Sequence, residues 1–137
     1  MKKSINISTL IRTDLLELKA YSSARDEFST SEKMVFLDAN ENPYESELNR
    51  YPDPYQSKLK SKIAQLKTIS TEYILLGNGS DEVIDLLVRL CCKSYEDNIL
   101  IFPPTYGMYK VTADLNAIKV NTVNLNADFH INIEETL

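Results

Sequence analysis

The segment Gly77-Asn78-Gly79-Ser80-Asp81-Glu82 is where residue types and spacing first suggest chemistry. It follows the apolar run Tyr73-Ile74-Leu75-Leu76 and precedes the helix-like stretch Ser80 to Cys92, so a strand, a glycine turn and a helix are expected in that order. Ser80 suits a helix N-cap, and Asp81 and Glu82 suit the positive end of the helix dipole. Glycine permits positive φ and close backbone approach. A turn of this kind leaves N–H groups free above the sheet, the usual way to hold a phosphate. No Gly-Lys-Ser/Thr follows, so it is not a P-loop. Gly77-x-Gly79 opens like a dinucleotide fingerprint, but Glu82 stands where the third glycine belongs. A plain capped turn is the bland alternative. Two acids would repel a phosphate if their carboxylates faced it. The phosphate reading therefore needs the backbone N–H groups of Ser80 and Asp81, with both carboxylates turned away.

Further segments carry polar and aromatic groups at proline-marked turns. Pro103-Pro104-Thr105-Tyr106-Gly107-Met108-Tyr109 follows an apolar run and offers Tyr106 as a flat stacking face or as a packed strand-end residue. Leu37-Asp38-Ala39-Asn40-Glu41-Asn42-Pro43 ends a short apolar run, and Asn42, before proline, should be extended. Arg50-Tyr51-Pro52-Asp53-Pro54-Tyr55 cannot be regular helix. Lys58, Lys60, Lys62 and Lys67 read as the solvated side of a helix. The two cysteines, Cys91 and Cys92, are adjacent, too few for a disulfide framework, and read as small buried apolar groups in a reducing cytoplasm. One histidine, His130, leaves no Cys/His metal site to assemble and is expected to have no catalytic role.

The elements that must position these residues alternate. Residues 1–34 are polar, with a short amphipathic stretch of Leu10, Ile11, Leu15, Leu16 and Leu18. Val35-Phe36-Leu37 is expected as a short strand. Gln56 to Lys67 is expected as a helix burying Leu59, Ile63 and Leu66. Strands are expected at 73–76, 98–102 and 118–125, helices at 80–92 and 106–116, and a helix start at 133–137. That alternation implies βαβ units, an α/β class and a mainly parallel sheet.

Composition bounds the class. The chain has 137 residues, 43% hydrophobic and 26% charged, as in an ordinary globular domain. A net charge of −5 argues against a nucleic-acid surface spread over the chain. No apolar run is long enough to span a membrane, and no signal peptide is expected.

Taken together, these segments resemble the histidinol-phosphate aminotransferases. Ile11-Arg12-Thr13-Asp14 leading to Leu18-Lys19-Ala20-Tyr21 resembles their opening. The segments at 37–43, 50–53, 77–82 and 103–109 are similar to their successive motifs, in family order, from about residue 8 to the end of the chain. The resemblance implies a fold-type I transferase that uses pyridoxal 5′-phosphate (PLP), with a three-layer αβα architecture of which this is the N-terminal part. It implies an N-terminal arm and the start of a small domain at 1–50, and the first part of the PLP-binding domain at 51–137. The implied reaction exchanges an amino group between L-histidinol phosphate and 2-oxoglutarate, a step of histidine biosynthesis, in a homodimer.

Site residues carry over one at a time. Gly79, Ser80 and Asp81 would hold the PLP phosphate, the last two through backbone N–H groups, and Tyr106 would lie on the PLP ring. Tyr51 would reach the cofactor phosphate of the partner subunit. Tyr21 would contribute to the substrate phosphate across the dimer, Asn42 would border the substrate site, and Gly107 would serve the bend after Tyr106. The family's Schiff-base lysine, the acid at the pyridine nitrogen and the substrate arginines fall beyond residue 137, so no catalytic residue is expected here. A chain of this extent is expected to be inactive alone and, with three strands of a larger sheet uncovered, marginal or aggregation-prone. A related PLP enzyme of other specificity, and a non-catalytic remnant or dimer-forming module, are the alternative readings.

Overall fold

The computed structural model describes residues 6–22, 35, 37 and 39–137. The chain divides into two compact units, one formed by Met1–Leu18 with Gly77–Leu137 and the other by Lys19–Leu76.

The first unit is a small α/β arrangement. Its elements are a 3-10 turn at Ile7–Thr9, then α1 (Thr13–Leu16), α3 (Gly79–Cys91), β1 (Asn98–Ile101), α4 (Met108–Leu115), β2 (Lys119–Thr122) and α5 (Ile133–Thr136). The second unit contributes α2 (Ser57–Lys67) and a 3-10 turn at Thr71–Tyr73. β1 and β2 pair in parallel, with Asn98 opposite Lys119, Ile99 opposite Val120, Leu100 opposite Asn121 and Ile101 opposite Thr122. Parallel strands need a crossover, and α4 supplies it. Bonds of the ladder type continue past the strand ends: Val123 N–H donates to the Ile101 carbonyl at 3.1 Å and Leu125 N–H to that of Pro103 at 2.9 Å.

The core sits between α3, α4 and the sheet. Val88, Ala113 and Ile118 are buried, with Cys92, Ile99 and Val120 packed against them. Two polar ties hold the helices around it. Asn116, at the end of α4, donates from Nδ2 to Asp85 Oδ1 on α3 at 2.8 Å. Asp85 also pairs with Arg89 one turn on, at 2.8 Å. The Asn116 hydrogen bond, then Arg89, holds the Asp85 carboxyl below the usual aspartate range. The far end of α3 is fastened by Arg12, whose N–H donates to the Leu90 carbonyl at 3.0 Å and whose Nη1 donates to that of Arg89 at 3.1 Å. These bonds satisfy carbonyls that the helix end leaves open.

Several expectations are corrected. Two strands are present among the described residues where three were expected at 73–76, 98–102 and 118–125. Residues 71–73 form a 3-10 turn instead, and Ile74 is extended (φ −116°, ψ 119°) but belongs to no ladder. An apolar run becomes a strand only where a neighbour accepts its hydrogen bonds. Val35 and Leu37 are irregular and exposed, and Phe36 lies outside the described residues. The face Leu59–Ile63–Leu66 is not buried: Leu59 and Leu66 are exposed, Leu66 by 82%, although α2 packs against the Thr71–Tyr73 turn of its own unit. Cys91 is exposed and Cys92 half-buried, so only the second behaves as a core residue. α4 starts at Met108 rather than Tyr106, since Gly107 is its N-cap.

Candidate functional site

The glycine turn leads directly into α3. Asn78 is the N-cap, Gly79 is the first helical residue, and Ser80 lies one residue inside, not at the cap as its type suggested. Gly79 has φ +83°, a conformation that side-chain-bearing residues avoid, and its N–H bonds back to the Gly77 carbonyl at 3.0 Å. A Cβ added at Gly79 would meet nothing within 4 Å, so the turn is open on that side. A Cβ at Gly77 would meet Val83 Cγ2 at 2.9 Å and Glu82 Oε2 at 3.1 Å, so Gly77 is needed for close packing instead.

The acids of the first turn are committed to other donors. Glu82 reaches back to accept from the Asn78 N–H and from Asn78 Nδ2. This replaces the side-chain cap that Asn78 itself does not make. The Asp81 carboxylate accepts from the Tyr106 hydroxyl at 3.0 Å. The N–H groups of Ser80 and Asp81 have no acceptor among the described residues. They are the orphan donors of a helix start, where the dipole favours an anion. The donor set and open approach fit a phosphate group such as that of PLP.

Tyr106 stands at this turn, half-exposed. The ring of Tyr109 meets it edge-on, with centroids 6.0 Å apart and planes at 89°. The hydrogen bond to Asp81, then desolvation and the charges of Asp81 and Tyr109, push the Tyr106 hydroxyl above the ordinary tyrosine range. Gly79, Ser80, Asp81 and Tyr106 are thus brought together at one end of α3. Nearby, an apolar groove of ≈ 380 Å³ is lined by Ile84, Leu87, Val88, Leu100, Phe102 and Tyr109, among others. Among the described residues its lining carries no charge, so it offers an anion less than the donors of the turn do.

The other expected site residues lie in the second unit. Tyr21 is exposed. Asn42 makes a side-chain turn, accepting from the Tyr44 N–H at 3.0 Å, while its carbonyl accepts from Asn49 Nδ2 at 3.4 Å. Tyr51 exposes its ring, and its N–H donates to Glu41 Oε1 at 2.8 Å. The other oxygen of Glu41 pairs with Arg50 at 2.8 Å, and the Glu41 side chain is only 4% exposed. Glu41 therefore binds the 37–43 segment to the 50–53 segment. Sequence reasoning passed over it, and its one signal was an acid lying ten residues before Tyr51. Asp53 then accepts from the Tyr55 and Ser57 N–H groups at 2.9 and 2.8 Å and caps α2, which holds its carboxyl below the usual range.

His130 is exposed, and its backbone groups close the Asn126–His130 turn. Among the described residues no three His, Cys, Asp or Glu side chains cluster as metal ligands, and no helix is long and apolar enough to cross a membrane.

Comparison with known proteins bears on the same residues. The histidinol-phosphate aminotransferase of Christiangramia forsetii is 55% identical over 128 residues, covering 93% of this chain and 37% of that protein. That of Flavobacterium psychrophilum is 51% identical over 135 residues, covering 98% and 39%, and one from Bacteroides fragilis is 48% identical over 131 residues, covering 96% and 38%. The chain thus spans well under half the length of these relatives. The aminotransferase class I and II pattern matches residues 27–137, which takes in the glycine turn, Tyr51 and Tyr106. With residues 27–137 matched, this chain belongs to the aminotransferase class I and II family.

Proposed function

We propose that these 137 residues are the N-terminal part of a PLP-dependent histidinol-phosphate aminotransferase, which moves an amino group between L-histidinol phosphate and 2-oxoglutarate. The observation that carries the reading is the α3 turn. Ser80 and Asp81 present open N–H groups, the first-turn acids are held by other donors, and Tyr106 stands alongside, in a chain 46–55% identical to histidinol-phosphate aminotransferases. Ser80 and Asp81 hold the cofactor phosphate, Gly79 gives the backbone its approach, and Tyr106 covers the ring. When bound, PLP supplies the electron sink that amino-group exchange requires. Tyr51 serves the partner's cofactor phosphate, Tyr21 the substrate phosphate, and Asn42 the edge of the substrate site, in a homodimer. Residues 1–50 are the arm and the start of the small domain, residues 51–137 begin the PLP-binding domain, and the setting is cytoplasmic. None of the lysines present lies in the family's cofactor-lysine motif, so the 137 residues alone carry no covalent cofactor and no activity.

Joining residues 1–137 to the remaining portion of the Christiangramia relative tests the assignment. The fusion is expected to convert L-histidinol phosphate with 2-oxoglutarate. A folded fusion that binds PLP and converts no amino donor would overturn the assignment. For the chain alone, PLP followed by borohydride should leave no lysine adduct at a single site. One that maps to a single lysine and supports transamination would sink the claim of inactivity.

A further inference from the structure

Asp81 has a backbone role in the proposed function, and its side chain is free for another. An acid beside a phosphate site costs Coulomb energy, so its presence calls for a job that a neutral residue would do less well. The Tyr106 hydroxyl supplies one. Asp81 Oδ1 accepts from the Tyr106 hydroxyl at 3.0 Å, across 25 residues of sequence. Tyr106 is half-exposed and would otherwise be free to change rotamer. The edge contact from Tyr109 on α4 constrains the ring from one side, and the Asp81 bond on α3 fixes its hydroxyl end. A phenylalanine at 106 would offer the same flat face but nothing for Asp81 to hold.

We propose that the Asp81 carboxylate is a positioning group that orients the Tyr106 ring, so that one residue sets both the phosphate donor and the stacking face. The proposal rests on the PLP reading of this turn. It also accounts for the acid beside an anion site: the carboxylate's charge is turned onto a hydroxyl donor. The groups that face the Tyr106 hydroxyl are Asp81 from α3 and Tyr109 from α4.

The test uses the 137-residue chain with its tyrosines labelled at the phenol carbon, titrated with alkali and followed by NMR. Tyr106, assigned with Tyr106→Phe, should titrate above a tyrosine in a short peptide, and Asp81→Asn should move it to lower pH. PLP is then added, and the amide resonances of Ser80 and Asp81 are followed. Asp81→Asn should weaken PLP binding roughly two- to tenfold, the range one net hydrogen bond supports. It should weaken it no further in a Tyr106→Phe background. A Tyr106 titration unmoved in folded Asp81→Asn overturns the proposal. So does an equal loss of affinity in the Phe background, since Asp81 would then act on the phosphate directly. If Asp81→Asn does not fold, the unmodified chain decides: a Tyr106 midpoint at or below the peptide value is refutation, and one above it is support. PLP that shifts neither amide in the unmodified chain overturns the phosphate role of the turn, whereas a Tyr106 titration that moves with Asp81→Asn still supports the pairing.

Discussion

Replacing Gly79 with alanine separates backbone conformation from crowding at the phosphate turn. The residue sits at φ +83°, and nothing lies within 4 Å of the Cβ that alanine would add. The penalty is therefore local to the backbone at position 79, with no clash against side chains or other parts of the fold. For a side-chain-bearing residue in the left-handed region it is about 1–2 kcal/mol. That corresponds to a fall of about 5- to 30-fold in the population holding this turn. Asparagine tolerates the left-handed region better, so Gly79→Asn should lose less than Gly79→Ala. Gly77→Ala should fail for a different reason, because its Cβ would press on Val83 and on the Glu82 carboxylate that caps the turn. Urea unfolding by far-UV circular dichroism gives the stabilities, and amide exchange at Ser80 and Asp81 reports the turn itself. Equal losses for Gly79→Ala and Gly79→Asn would refute the conformational argument. A neutral Gly79→Ala would show that the turn does not need positive φ.

Further outcomes follow from other contacts. Glu41→Gln removes the charge that holds both Arg50 and the Tyr51 N–H, and should cost about 1.5–3 kcal/mol, the range for hydrogen bonds to a charged group; Arg50→Gln removes a side chain that is itself half-exposed and leaves the Tyr51 N–H bond in place, so it should cost less, and urea titration of both variants checks the order. Asp85 has a folded carboxyl pKa below its unfolded value, so its stabilising contribution is full above about pH 4 and is lost as pH falls through the folded value. Asn116→Ala removes the largest cause of that shift and should flatten the acid limb of stability against pH, and a limb of unchanged steepness would contradict the role of the Asn116 bond. Cys91 is exposed while burial pushes the Cys92 thiol up, so iodoacetamide should label Cys91 first, and peptide mapping that finds Cys92 labelled equally fast would overturn the burial difference.

How much was legible in the sequence depends on whether a feature is local. The Gly77–Glu82 turn was, because glycines and first-turn acids act within a few residues. The expected parallel pairing also appears, with Asn98–Ile101 and Lys119–Thr122 on either side of a helix. The expected strand at 73–76 does not, because an apolar run cannot say whether a partner edge is present. The buried face of α2 was misread for a related reason: Leu59, Ile63 and Leu66 have helical spacing, but spacing does not supply the surface that covers them. The side-chain contacts of Tyr106 with Asp81 in the first unit, and of Glu41 with Arg50 and Tyr51 in the second, join residues 25, nine and ten positions apart, which no local pattern pairs. Only packing reveals them. The exposed state of Cys91 belongs with these, since adjacent residues on a helix end face different surroundings.

The central claim is that the N–H groups of Ser80 and Asp81 hold the phosphate of PLP. Its most direct test is an amide NMR titration of the 137-residue chain with PLP and, separately, with pyridoxal, which lacks the phosphate. With PLP, saturable shifts confined to Gly79, Ser80, Asp81 and their contacts are expected, and with pyridoxal much weaker ones. Equal responses to the two ligands in the folded chain, or PLP shifts elsewhere with the turn unmoved, would contradict it.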